Sequence, residues 1–176
     1  QTCALPIFPA AVAGLASMLN DFQVSPDGTK IYIAETSPVL QHPALIVYDV
    51  VKHESRRVLD RDPSVMTQDY IIQVPGRDMR VYGLLALRIG VDSIALDRSG
   101  EWLYYGAVTG DTMFRVRARD LDDETLSADE LGRRVEAFAP KTLSDGITTD
   151  SANAVYLSDM EHSVTSNTRA GFFVRT

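Results

Sequence analysis

The sequence predicts an all-β fold made of repeated four-stranded antiparallel units, and three observations support this prediction. Three segments share one hairpin pattern, in which an alternating strand, a polar turn and a second strand rich in Tyr, Ile, Leu and Val follow each other. Two further strand-like runs come after each of the first two hairpins. The unit then recurs, with 72 residues between Asn20 and Asp92 and 53 between Asp92 and Asp145. Repeated four-stranded units are typical of propeller blades, so the sequence predicts a partial β-propeller of about three blades.

The three hairpins are the clearest elements. Their sequences are LNDFQVSPDGTKIYIAE from Leu19, VDSIALDRSGEWLYYGA from Val91 and SDGITTDSANAVYLSDM from Ser144. Their turns contain Pro26-Asp27-Gly28, Arg98-Ser99-Gly100 and Ala152-Asn153, which are residue types that favour tight turns.

The outer strands of each unit follow the hairpins. They are predicted as ALIVYDV and RRVLD in the first unit, TMFRVRA and VEAFA in the second, and SVTSN (163–167) and FFVRT (172–176) in the third. The blades are therefore expected at 19–62, 91–139 and 144–176, within a single incomplete propeller domain over 8–176. The opening QTCALPI (1–7) is interpreted as an unstructured or adapter-derived scar and is left out of the fold.

Two insertions interrupt the strands. Ser127 and Glu130 form a capping box, with Leu131 available for an inner face, which predicts one short helix near 127–134. The connection 63–90 contains Pro75-Gly76 and is predicted to hold one extra hairpin, pairing 70–74 with 80–84.

Composition excludes several classes of function. The chain is 45% hydrophobic and carries a net charge of −7, without a Lys/Arg stripe that could follow a phosphate backbone. We therefore expect no nucleic-acid partner. No uncharged apolar run reaches the roughly 18 residues of a membrane span. Cys3 is the only cysteine, so a disulfide or a cysteine metal pair within the chain is excluded.

The order of the motifs from Leu19 to Ser163 resembles the major royal jelly / yellow protein family, in its bacterial branch. The most specific segments are LYYGAVTG from Leu103, LSADEL from Leu126, and Ser144-Asp145-Gly146 leading to Asp159-Met160-Glu161-His162. This resemblance implies a six-bladed, secreted or periplasmic propeller that binds a small organic ligand in or near its central channel.

A more distant resemblance is to the gluconolactonase / senescence-marker propellers. In that family, Asn and Asp at the start of inner strands, with a Glu from another blade, hold a divalent cation such as Ca²⁺ or Zn²⁺. The alternative function implied by this resemblance is a metal-dependent, lactonase-like hydrolase. A scaffold propeller without catalytic activity is a second alternative.

Asn20, Asp92 and Asp145 are the candidate metal ligands, because register places them at equivalent points of three innermost strands. Three oxygen-bearing side chains near one axis could bind a hard cation or a polar ligand. The alternative is that each side chain caps its strand or forms an Asx-turn. Asp21 competes with Asn20 for the channel-facing position, because neighbouring strand residues point to opposite faces.

Asp159, Glu161 and His162 are the candidate ligand-binding residues at one rim of the third unit. A His beside carboxylates could contact substrate or act as a general acid or base. The alternative is a polar loop cluster that holds one blade against the next.

Aromatic and basic residues on the second unit leave two further alternatives open. Trp102, Tyr104 and Tyr105 could stack on a ligand ring, or pack between blades. Arg115, Arg117 and Arg119 recur at every second position, which predicts one solvated strand face or an anion site. Since a partial propeller leaves its terminal blade faces uncovered, we also expect the chain to self-associate.

Overall fold

The computed structural model describes residues 6–74, 76–162, 164–169 and 172–175. Ser163 and Thr176, at the ends of two predicted strands, and residues 1–5 and Pro75 lie outside the described residues. Pro6 and Ile7 are described and adopt no regular structure.

Three four-stranded antiparallel sheets form the body of the fold. Blade 1 consists of β1 (Leu19–Val24), β2 (Lys30–Glu35), β3 (Ala44–Asp49) and β4 (Glu54–Val58). The connection to the next sheet holds β5 (Gln73–Val74), β6 (Arg77–Asp78), β7 (Arg80–Val81) and β8 (Leu85–Ala86). Blade 2 consists of β9 (Val91–Leu96), β10 (Trp102–Ala107), β11 (Thr112–Arg117), the helices α1 (Ala118–Asp122) and α2 (Ala128–Gly132), and β12 (Glu136–Pro140). Blade 3 consists of β13 (Ile147–Thr149), β14 (Val155–Asp159), β15 (Val164–Arg169) and β16 (Phe172–Arg175).

Strands within each sheet follow each other in chain order, as the repeated hairpin pattern predicts. The innermost strands are β1, β9 and β13, and β9 lies between the other two and contacts both. The predicted fold class, an all-β partial propeller of about three blades, is confirmed.

Apolar side chains of the second strands fill the spaces between blades. Tyr32 and Tyr105 belong to one large buried cluster between blades 1 and 2. Tyr104 packs with Met113 and Leu157 in a second cluster, between blades 2 and 3. Successive residues of β10 therefore serve opposite interfaces, as the period of a strand requires.

The helix prediction is confirmed in position but is incomplete. Ser127 accepts a hydrogen bond from the Glu130 N–H, Glu130 accepts one from the Ser127 N–H, and Leu131 is buried. A second short helix, α1, precedes it directly after β11. Arg119 therefore lies on a helix, and the prediction that it shares a strand face with Arg115 and Arg117 is wrong.

The extra hairpin of the connection is also wrong in its pairing. Instead of 70–74 with 80–84, two small ladders form, β5 with β6 and β7 with β8. Tyr82 and Gly83 both have positive φ, at 51° and 71°, which places a tight turn inside the segment predicted as a strand. Within the described residues, no helix combines the length and apolarity that a membrane crossing requires.

Candidate functional site

The three predicted metal ligands lie on irregularities of the inner strands. One main-chain hydrogen bond recurs in all three blades at the start of the inner strand. It joins Thr36 N–H to Met18 C=O at 3.0 Å in blade 1, Val108 N–H to Gly90 C=O at 3.1 Å in blade 2, and Met160 N–H to Leu143 C=O at 3.1 Å in blade 3. Between this bond and the regular ladder, the inner strand holds one residue more than its partner. Asn20, Asp92 and Asp145 each lie within this extra length, which is a β-bulge.

The bulge in β1 determines how the side chains of Asn20 and Asp21 are oriented. Pairing shifts between Leu19 and Phe22, so two residues oppose Ala34 and the simple alternation of faces is lost. Both side chains consequently reach blade 2, where Asn20 Nδ2 donates to Asp92 Oδ1 and Asp21 Oδ2 accepts from the Ile94 N–H at 3.2 Å.

Side chains from both neighbours reach the free edge of β9. Gln23 Nε2 donates to the Ile94 carbonyl at 3.1 Å, from blade 1. Thr149 Oγ1 donates to the Leu96 carbonyl at 2.8 Å, from blade 3. These bonds hold the three inner strands side by side, which fixes the spacing of Asn20, Asp92 and Asp145.

Asp92 is the most unusual group of this set. Its side chain is almost fully buried, with 3% of the residue exposed, and its Oδ2 has no hydrogen-bond partner. Burial raises the pKa of Asp92 to about 6, and the nearby negative charges of Asp145 and Asp21 add to this effect, while the Asn20 hydrogen bond acts against it. An orphaned buried carboxylate oxygen is costly and needs an explanation.

Asp145 completes the arrangement from blade 3. Asp145 is exposed, and its negative charge adds to the rise in the pKa of Asp92. A neighbouring negative charge favours the neutral form of the buried Asp92 carboxyl group, or a cation bound beside it. Among the described residues, no three Asp, Glu, His or Cys side chains lie close enough together to hold a metal ion.

Asp159, Glu161 and His162 make structural contacts at the rim of blade 3. Asp159 Oδ1 accepts from the N–H groups of Glu161 and His162 at 3.0 and 2.9 Å, and His162 Nδ1 lies 3.0 Å from Asp159 Oδ2. Burial acts to raise the pKa of Asp159, but the hydrogen bonds from His162 outweigh it and hold the pKa below its usual range. Glu161 Oε1 accepts from the Gln73 N–H at 2.9 Å, which ties the connection to blade 3. Ligand binding by these residues stays a prediction.

Aromatic residues of β10 pack between blades, as one of the two interpretations expects. The guanidinium groups of Arg115 and Arg117 lie 4.1 and 4.2 Å from the centre of the Trp102 ring, on its face. Arg115 also pairs with Glu136 at 2.7 Å, and Arg117 pairs with Glu101. These arginines are engaged by cation–π contacts and carboxylates, which favours a structural role over an anion site.

Lys141 is a buried charged residue that no sequence pattern singles out. It is 6% exposed, lies against Gly106, and its Nζ donates to the Thr142 carbonyl at 3.1 Å. Burial lowers the pKa of Lys141 to about 7, against an opposing effect from Asp111. Only the fold, which places Gly106 of β10 against this side chain, reveals it.

No protein-family model matches the sequence, and no curated protein matches it either. Solved structures share its fold. Hydrazine synthase from Kuenenia stuttgartiensis matches with a TM-score of 0.59 and 13% identity, over 92% of this chain and 46% of that one. A protein of unknown function from Bacteroides thetaiotaomicron matches with a TM-score of 0.52 and 15% identity, over 88% of this chain and 32% of that one. The Swd1 β-propeller domain of Myceliophteria thermophila gives a TM-score of 0.47 at 10% identity.

These likenesses bear on the fold alone. The chain is similar to propeller proteins and spans less than half of the length of the two that match it best of these three. They do not test the resemblance to the royal jelly / yellow family, which remains an expectation.

Proposed function

We propose that this chain is part of a propeller that binds a small, positively charged organic ligand at the bulged ends of its inner strands. The observation that carries the proposal is the buried, unpartnered Oδ2 of Asp92 beside the carboxylate of Asp145. The resemblance to the royal jelly / yellow family adds the expectation of an exported, secreted or periplasmic protein, and we include export in the proposal.

The charge at this point favours a cation. Asp92 experiences the negative charges of Asp145 and Asp21, and both raise its pKa. A ligand ammonium group would hydrogen-bond the free oxygen of Asp92 and neutralise part of this repulsion. Binding would thus lower the pKa of Asp92, because a bound cation favours the ionised carboxylate.

An organic cation fits the number of donors better than a metal ion does. Asn20, Asp92 and Asp145 together offer few oxygens, whereas Ca²⁺ takes about six to eight. Asn20 also turns its Nδ2 toward Asp92, so the amide already acts as a donor. A divalent cation, and the lactonase-like chemistry that would go with it, is therefore the second candidate, favoured by the hard carboxylate oxygen of Asp92.

Isothermal titration calorimetry tests the proposal with tyramine and CaCl2 as separate probes. We expect tyramine to bind the wild-type chain at about pH 8, where Asp92 is ionised, and to bind roughly tenfold more weakly one pH unit below the Asp92 pKa. Asp92→Asn should abolish the tyramine heat. Asp129→Asn, on α2 and outside the site, is the matched control and should bind as the wild type does.

The two candidates separate in the same titrations. If CaCl2 gives a binding heat that Asp92→Asn abolishes, and tyramine gives none, the ligand of the site is a divalent metal ion and not an organic cation. An absence of heat from both probes, or equal isotherms for the wild type and Asp92→Asn, would contradict a cation site at Asp92.

A further inference from the structure

A small cavity lies between blade 1 and the helical insertion of blade 2. Its volume is about 170 Å³, and most of the side chains that line it are charged. The insertion forms one wall, since α1 ends at Asp122 and the chain runs on to Glu124. Lys30 at the start of β2 also lines the cavity, whereas Asn20 lies next to the end of β2. The cavity is therefore at the opposite end of the blades from Asp92.

One sheet face of blade 1 supplies the other wall. In the ladder of β3 and β4, Asp49 lies opposite Glu54, and the next pair on the same face is Val47 with Arg56. Tyr32 pairs with Val47 from β2 and packs into the core between blades 1 and 2. This face of blade 1 is consequently the one directed at blade 2.

Two contacts between side chains hold the insertion over this face. The Tyr32 hydroxyl donates to the Asp122 carboxylate, whose oxygens lie 3.1 and 3.2 Å away. Lys52 Nζ pairs with Glu124 Oε1 at 3.0 Å. The cavity is thus framed by contacts between blades 1 and 2, at both ends of the segment from Asp122 to Glu124.

Arg56 is the cation of this cavity that lacks an ion pair. Lys30 Nζ lies 2.6 Å from Asp49 Oδ2, and Glu124 has its own lysine partner. Arg56 Nη2 donates to the Leu121 carbonyl of α1, which is neutral. Within the described part of the chain, no carboxylate forms an ion pair with Arg56. A guanidinium group has five N–H donors, so most of those of Arg56 are available to a ligand.

Asp122 is the corresponding carboxylate on the opposite wall. Its hydrogen bond comes from the neutral Tyr32 hydroxyl, and the residue is half-buried. Burial raises the pKa of Asp122, although the positive charges of Lys30 and Arg56 act to lower it. Glu54 also lines the cavity without an ion pair among the described residues, but it is exposed, so water and salt screen its charge.

We propose that this cavity binds a small zwitterion, an α-amino acid with a short side chain, whose carboxylate pairs with Arg56 and whose ammonium group pairs with Asp122. Guanidinium groups recognise carboxylates through parallel N–H donors, and a carboxylate is a strong acceptor for an ammonium group. A ligand with a single charge would leave one of the two walls without a partner. At about 170 Å³ the cavity is smaller than the roughly 300–1,000 Å³ of pockets for drug-sized ligands, which favours a molecule of this size. The site is separate from the cation site at Asp92.

Isothermal titration calorimetry of the full chain at about pH 7 tests the proposal with three matched probes. L-alanine carries both charges, propionate lacks the ammonium group, and ethylamine lacks the carboxylate. We expect L-alanine to bind the wild type, and each of the other two to bind roughly tenfold more weakly or worse, because one charged wall stays unpaired. This comparison needs no variant, so it does not depend on how well a variant folds.

Substitutions assign the two charges to their residues. Arg56→Gln and Asp122→Asn should each weaken L-alanine binding by roughly tenfold, and Arg56→Gln should also remove the preference for L-alanine over ethylamine. Arg61→Gln is the matched control, because the Arg61 side chain is 58% exposed and lies outside the cavity. It should bind L-alanine as the wild type does.

Asp92→Asn keeps this proposal distinct from the proposed function, and it should leave the L-alanine isotherm unchanged. An L-alanine heat that disappears in Asp92→Asn would place the amino acid at the other site and overturn this one. Propionate or ethylamine binding as tightly as L-alanine would overturn the zwitterion, and so would an absence of heat from L-alanine.

Discussion

Asp92 and Asp97 lie at opposite ends of β9, and their surroundings differ sharply although both are almost fully buried. Asp97 accepts hydrogen bonds from the Glu101 N–H at 2.7 Å and from Ser99 Oγ at 3.0 Å. Asp92 has one oxygen bonded by Asn20 and one oxygen without a partner. Burial alone therefore does not single out a carboxylate, whereas a buried oxygen without a hydrogen-bond partner calls for a further explanation.

The same contrast separates the two ends of the propeller. At the hairpin end, Asp150 accepts from the N–H groups of Ala152 and Ala154 at 2.8 and 2.9 Å, so it stabilises its turn as Asp97 does. At the bulged end, Asn20 of blade 1 donates to Asp92 of blade 2, and the negative charge of Asp145 in blade 3 raises the pKa of Asp92. Among the residues that the structure describes, the buried side-chain atoms without a partner, Asp92 Oδ2 and Thr142 Oγ1, belong to the bulged end.

Lys141→Met should give the largest change in the free energy of unfolding. It tests whether burial of a charge also costs stability when the charge is positive. The folded pKa of Lys141 lies below the unfolded value, so its charge destabilises the fold fully below about pH 7, and this cost fades as the pH rises toward 10.5. We expect the free energy of unfolding to rise by about 4 kcal/mol at pH 6 and to be unchanged near pH 11. Urea denaturation at both pH values measures this change. A loss of stability at pH 6 would show that burying the charge of Lys141 does not cost stability.

Asp97→Ala should cost about 3 kcal/mol of unfolding free energy, because it leaves buried donors of the β9–β10 turn without their acceptor. Urea denaturation at neutral pH measures the loss. Asp27→Ala, in the corresponding but exposed turn of blade 1, is the control and should lose much less. Equal losses in the two variants would show that burial of Asp97 contributes little.

Asp92→Asn should act in the opposite direction and raise the unfolding free energy by about 2 kcal/mol at pH 8. The folded pKa of Asp92 lies above the unfolded value, so the carboxylate costs stability above about pH 6, and the cost disappears as the pH falls toward 3.8. The gain should therefore vanish near pH 4 in thermal or urea unfolding. A destabilised Asp92→Asn at pH 8 would mean that the carboxylate is structural, like Asp97.

Ser99→Ala should give the smallest effect, about 1 kcal/mol of lost stability, since Asp97 keeps its bond from the Glu101 N–H. The measurement is urea denaturation beside the wild type. A loss as large as that of Asp97→Ala would assign the turn's stability to the serine hydroxyl.

The fold could be predicted from the sequence because the hairpin pattern repeats. The turns with Gly28 and Gly100, both at positive φ, and the alternating strands around them recur in register, so the blades and the equivalence of Asn20, Asp92 and Asp145 could be predicted. The helix α2 was predictable because its capping box is local. The helix α1 carries no such signal, since its N-cap residue Arg117 makes no side-chain capping bond.

The decisive features of the site could not be predicted. A bulge adds one residue to a strand without changing its residue types, so the sequence did not show that Asn20 and Asp21 both reach blade 2. The burial of Asp92 depends on blades packed on both sides of β9, which are distant in the chain. For the same reason, Phe22 and Ile94 look alike in sequence, and only packing separates an exposed position from a core position.

The most direct test of the cation site is an NMR titration of the Asp92 carboxyl carbon, with and without tyramine. We expect a midpoint at about pH 6 for the free chain, and a lower midpoint with tyramine, because a bound cation stabilises the carboxylate. A midpoint at the ordinary value of 3.8, unchanged by tyramine, would contradict it.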